Sequence, residues 1–199
     1  MTRLSSLLLL TVVSVFAASP ASAHVPPGEY GSLAAGFSHP LFGIDHVLAM
    51  IAVGLWAGVL GGRARWIVPA AFVLVMVAGF GLALFQVPLP AVEPMILAST
   101  IVLGLVVAIA VKIDVRLCAA LVGFFAVFHG HAHGAELGTA GALEFGIGFA
   151  LATAALHSVG FGVGMLLERL STRFGAQGGF VTRGLGLATA IAGTGLALT

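Results

Sequence analysis

From Leu41 onward the chain is a series of apolar runs, each about as long as a bilayer crossing, separated by short connections in which Lys and Arg collect. Inside hydrocarbon only an α-helix or a closed β-barrel satisfies every backbone polar group, and runs of roughly 20 apolar residues have the length of the helix. Six such runs can be placed, at residues 41–60, 66–85, 94–111, 115–133, 143–170 and 182–199. Composition agrees: 60% of the 199 residues are apolar and 8% charged, against roughly 25% charged in soluble domains. The expected fold class is an all-α integral membrane protein, a bundle of six transmembrane helices within residues 24–199, with no room for a sizeable soluble domain. A formal charge of +1 gives no sign of nucleic-acid binding. The lipid bilayer is the first expected partner.

The first 23 residues stand apart. Arg3, an apolar stretch at 7–18 and Ala21-Ser22-Ala23 are the charged, hydrophobic and cleavage regions of a signal peptide, so the mature chain should begin at His24 on the outer, periplasmic face. Basic residues give an independent check. If the first helix runs inward, Arg63, Arg65, Lys112, Arg116, Arg169, Arg173 and Arg183 all fall in inner connections, as the positive-inside bias requires. Both mature termini then lie outside. Residues 25–37, punctuated by Pro26, Pro27, Gly28, Gly31 and Gly36, read as a short helix or re-entrant piece that ends at His39-Pro40. Gly54, Gly58 and Gly62, and Gly160 with Gly164, are spaced to let helix backbones approach closely. The single cysteine, Cys118, excludes an internal disulfide.

Against this apolar background the ionisable residues are conspicuous, because a polar side chain entering hydrocarbon without partners costs several kcal/mol. With the topology above, His24, His39, His46, His129, His131 and His133 all fall on or near the outer side. His39 and His46 are seven apart, which on one continuous helix returns to the same face roughly 10 Å deeper. Asp45 adjoins His46 in the first turns of the helix, where the dipole favours its charge. His129 and His133 form an i, i+4 pair, the spacing that lets two imidazoles take one cation from one helical face, while His131 points elsewhere. Gly130 and Gly134 leave room for another helix or a ligand beside that face.

Imidazole with carboxylate suits nickel, cobalt, zinc and copper(II) and disfavours magnesium and calcium, which prefer oxygen shells. The residues therefore point to a divalent late first-row metal site at the outer mouth of the bundle. Plainer roles stand beside this one. Asp45 and His46 can serve as a hydrogen-bonded pair between helices, His39 as a brace at a helix start, and Glu136 and Glu144 as solvated acids that attract cations. His24 would sit on an exposed terminus. His157, about 20 Å along the fifth helix, is either a deeper relay ligand or a structural histidine bonded to a carbonyl.

The segments His39-x5-Asp45-His46 and Phe128-His129-Gly130-x-Ala132-His133-Gly134-x-Glu136 resemble the two signature segments of the HupE/UreJ family of bacterial nickel/cobalt permeases, and the resemblance extends over the signal peptide and all six runs. It implies a secondary permease of the bacterial inner membrane that supplies Ni2+ or Co2+ for metalloenzyme maturation, such as that of hydrogenase or urease. It further implies functional roles for His39, Asp45, His46, His129, His133 and Glu136, with His131 at a variable position of the motif. No enzymatic activity and no tightly bound cofactor are expected; the metal ion is the transported substrate, handed to a cytoplasmic metallochaperone. No phosphate-binding motif of an ATPase occurs in the chain. The rivals are a haem-binding electron carrier with two axial histidines, a membrane di-iron oxygenase, which would need more histidines, and a metal-binding accessory protein that does not transport.

Overall fold

The computed structural model describes residues 33–137, 141–174 and 177–199. The signal-peptide reading, His24 and the Pro/Gly-punctuated residues before Leu33 lie outside the described residues. Seven helices fill the rest: α1 (Leu33–Phe42), α2 (Ile44–Leu60), α3 (Ala64–Leu84), α4 (Val92–Ala108), α5 (Val115–Leu137), α6 (Ala142–Phe174) and α7 (Gln177–Ala197). Four of them, α3, α5, α6 and α7, are long and apolar enough to cross a membrane, and α1 with α2 makes a fifth if that bent pair is one span. At 17 residues α4 is shorter, roughly 25 Å of helix.

The first span departs from expectation. A single straight helix over 41–60 and a break at His39-Pro40 were predicted. Instead α1 continues through Pro40 to Phe42, the chain turns at Gly43, and α2 leaves at 89° to α1. Proline removes one backbone donor and restricts the residue before it, and Pro40 stands near the C-terminal end of a ten-residue helix, where little of the helix follows it. Gly43 is extended, and its carbonyl accepts the Val47 amide at 3.0 Å, which starts α2. The other helices begin and end within a few residues of the predicted runs, except that α5 carries on past His133 to Leu137 and α7 starts at Gln177.

The polarity of the bundle is that of a lipid-solvated protein. Leu74, Leu117, Phe124, Leu151, Leu187 and Ile191 are exposed, whereas His129, Ser99, Thr100 and Thr153 have no exposed surface. The core between them is built on Met50, Trp56, Phe72, Met76, Leu103 and Phe149.

Small residues set the helix spacing. The tightest pairings are α3 with α5, α2 with α6, α4 with α7 and α1 with α6. On the α2–α6 face a Cβ at Gly54 would strike the His157 carbonyl, one at Gly160 would strike that of Ile51, and Gly58 faces Gly164 backbone to backbone. The predicted glycine stripe holds for these four positions and fails at Gly62, which has φ +51 and nothing within 4 Å. That glycine belongs to the turn after α2.

Two helices end in the same device. At α3 the Val87 amide reaches Leu82 and the Gln86 amide Ala83; at α4 the Val111 amide reaches Val106 and the Ala110 amide Val107. Both are Schellman closures, which need a left-handed residue just past the helix. Gln86 (φ 57) and Ala110 (φ 54) supply it without being glycine. Because a side chain in that conformation costs about 1–2 kcal/mol while glycine has more entropy to lose, Ala110→Gly is expected to stabilise the protein by about 0.5–1 kcal/mol, read as a raised melting temperature in detergent.

The connection that follows α4 is also held from the side. Trp56, fully buried on α2, donates its indole N–H to the Val111 carbonyl at 3.0 Å. Val59, Ala110, Lys112, Glu168 and Arg183 line one cavity of about 330 Å3, so the basic residues after α4 and in the first turns of α7 meet beside the end of α2. The histidines gather towards the other.

Candidate metal site

The corner at Gly43 builds the first half of the site. Asp45 lies in the first turn of α2, and its Oδ1 accepts the His46 amide at 2.8 Å and meets His46 Nδ1 at 2.9 Å. A Cβ on Gly43 would sit 3.1 Å from both Asp45 Oδ1 and His46 Nδ1, so the absence of a side chain there leaves the pair its space. The carboxylate is engaged twice by its neighbour, and the other ring nitrogen of His46, Nε2, is buried with no hydrogen-bond partner among the described residues. This is the arrangement in which a carboxylate orients an imidazole and raises its basicity towards a metal.

The second half comes from α5. Gly130 and Gly134 press against α3 at Met76 and Phe80, where a Cβ would meet backbone, and this close approach sinks the intervening turn into the bundle. His129 is fully buried and His133 is 5% exposed. His46 then packs against both, with ring centres 4.7 Å from His129 and 4.5 Å from His133, and His39 on α1 lies 4.7 Å from His133 on its other side. The bend at Gly43 is what permits this: His39 and His46 are not stacked along one helix, yet both reach His133.

The series continues inward. The Phe72 ring of α3 lies 5.5 Å from His129 and 5.1 Å from His157, which is 2% exposed on α6. The rings therefore run His39, His133, His46, His129, Phe72, His157 in successive contact. His157 is not bonded to a carbonyl, as its structural role would require; neither of its ring nitrogens has a hydrogen-bond partner among the described residues. It lines a cavity of about 420 Å3 together with Arg65, Trp66 and Ser158. Arg65 stands in the first turn of α3, next to the basic turn after α2, so this cavity reaches towards the basic end.

The remaining predicted residues divide. His131 points away from the cluster, with Nε2 2.8 Å from the Val87 carbonyl, and so ties α5 to the connection after α3. Glu136 falls on α5, three residues past His133, and its side chain lies outside the described residues. Glu144 is exposed in the first turn of α6. Two residues of α4 were missed. Ser99 Oγ is 2.8 Å from His129 Nε2 and 2.6 Å from the Ile96 carbonyl, and Thr100 Oγ1 donates to the Asp45 carbonyl at 3.1 Å. A Ser-Thr pair in the middle of an apolar helix was the available signal.

Among the described residues no group of three or more His, Cys, Asp and Glu side chains is arranged to hold a metal ion. Two of the imidazole pairs lie edge to face, His46 with His129 at 86° and His39 with His133 at 87°, and His46 is tilted at 59° to His133, so the cluster is a packed file of rings and not a closed coordination cage.

Comparison with known proteins extends along nearly the whole chain. Residues 10–196 match the family model described as HupE / UreJ protein. Protein HupE of Rhizobium leguminosarum bv. viciae is 46% identical over 187 residues, which cover 94% of this chain and 94% of that protein. No solved structure matches the chain.

Proposed function

The chain belongs to the HupE/UreJ family, and from that premise we propose that it is a secondary permease taking a divalent late first-row metal ion, Ni2+ or Co2+, from the periplasm to the cytoplasm for metalloenzyme maturation. In this reading the chain crosses the inner membrane six times, with the histidine end outside and the basic end inside. The broken pair α1–α2 is the first crossing and α4 the third.

One observation carries the proposal: the half-buried His39 of α1 and the buried imidazoles of α2 and α5 stand in ring contact, and Phe72 links them to the buried His157 of α6, in a bundle whose other buried side chains are almost all apolar. The buried ring nitrogens without a hydrogen-bond partner among the described residues, Nε2 of His46, Nδ1 of His129 and both of His157, are costly at such depth unless they have a ligand to hold. His39, His46, His129 and His133, with Asp45 behind His46 and with Glu136 three residues past His133 on α5, take up the ion at the outer face, and His157 is the next stop. Incomplete coordination suits transport, since an ion held in a closed cage would not leave. Phe72, the one carbon ring in the series, is what the ion must pass between the two stages.

The test is flux of radioactive Ni2+ into proteoliposomes containing the full chain. Accumulation well above that in protein-free vesicles is expected, with competition by Co2+. His157→Ala should keep equilibrium Ni2+ binding and slow flux. Binding without flux in the wild-type protein would make it a metal-binding accessory protein, and the absence of both would refute the proposal.

A further inference from the structure

Ser99 of α4 is within hydrogen-bond distance of the imidazole file, and its geometry specifies more than a contact. A serine hydroxyl has a single proton to give. Here that proton is directed to the Ile96 carbonyl of the preceding turn, at 2.6 Å. Ser99 Oγ also lies 2.8 Å from His129 Nε2. With its proton already used, the oxygen acts towards His129 as acceptor, so Nε2 must carry the hydrogen. The lone pair of the neutral ring is then on Nδ1, and that atom is buried with no hydrogen-bond partner among the described residues.

We propose that Ser99 is a positioning residue that holds His129 in the Nε2–H tautomer and thereby makes Nδ1 the nitrogen it offers to the metal ion. The inference rests on the permease reading for its functional half, while the tautomer stands on the hydrogen bonds alone. It parallels what Asp45 does across the cluster. There the carboxylate takes the His46 Nδ1–H and leaves Nε2 as the open nitrogen, whereas at His129 a hydroxyl takes Nε2–H and leaves Nδ1. Adjacent imidazoles 4.7 Å apart are thus set in opposite tautomers by two different partners, one on the same helix and one on α4. Metal-ligating histidines depend on such partners for ring orientation, and losing one lowers affinity by roughly 10–100-fold.

The experiment uses the full chain with 15N-labelled histidine, the His129 signals being assigned by their disappearance in His129→Gln. Nitrogen chemical shifts in the metal-free protein report which ring nitrogen is protonated. The wild type should show His129 protonated at Nε2 only, Ser99→Ala should show a mixture of the two tautomers, and Ser99→Thr, which keeps the hydroxyl, should restore the single form. Ni2+ affinity should fall by roughly 10–100-fold in Ser99→Ala and recover in Ser99→Thr, the melting temperature of each being recorded beside it. A wild-type His129 protonated at Nδ1 would overturn the assignment while leaving the permease reading in place. So would Ni2+ affinity unchanged in Ser99→Ala. A wild-type protein with the expected tautomer that binds no Ni2+ would sink the permease reading and with it the role given to Nδ1.

Discussion

His46→Ala is expected to abolish Ni2+ uptake while the protein stays folded in the membrane. His46 is the centre of the file: it contacts His129 and His133 and is the ring that Asp45 orients. Removing a partner of a metal-ligating histidine already weakens binding by roughly 10–100-fold, so deleting the ligand itself in a sparse site should exceed that. The fold has less at stake. The Asp45 carboxylate keeps the backbone amide of residue 46 as a donor, and the helix contacts made by Gly54 and Gly58 further along α2 are untouched. Uptake measured in cells at matched protein levels decides the matter, and wild-type uptake by the variant would remove His46 from the mechanism.

A second pair of variants tests the bundle instead of the site. Gly160 and Gly162 are two residues apart on α6. Any side chain at 160 meets the Ile51 carbonyl and the Leu55 amide on α2, whereas one at 162 meets nothing within 4 Å. Backbone cannot step aside as a flexible side chain can, so Gly160→Val should lie at or beyond the upper end of the ~1–3 kcal/mol usual for overpacking, with a sharp loss of folded protein. Gly162→Val should be close to neutral. Equal melting temperatures for the two would mean that α2 and α6 do not pack through this face.

These two positions also mark what could be read from the chain beforehand. Long apolar runs and their basic connections disclosed the helices, because hydrocarbon leaves the backbone few choices. The four-residue glycine spacing disclosed a close helix face, though not that Gly62 would fall outside it. The His129 and His133 pair was visible from helical period alone. The corner at Gly43 was not, since Pro40 was the stronger local signal and proline ordinarily marks a helix end. What glycine supplies at the break is room for the Asp45 and His46 side chains beside the turn, and that need shows only once their paired geometry is known. Ser99 and Thr100 were overlooked because short hydroxyl side chains within helices usually bond their own preceding turn. Both do bond Ile96, and only the packed structure reveals that they also touch His129 and Asp45.

The central claim is that buried imidazoles hold the ion, and X-ray absorption at the nickel edge of the Ni2+-loaded full-length protein addresses it most directly. Nitrogen and oxygen ligands with the outer-shell scattering of histidine rings are predicted, and that scattering should disappear when His46, His129 and His133 are replaced together by alanine. A nickel shell of oxygen alone, or one unchanged in the triple variant, would contradict the account.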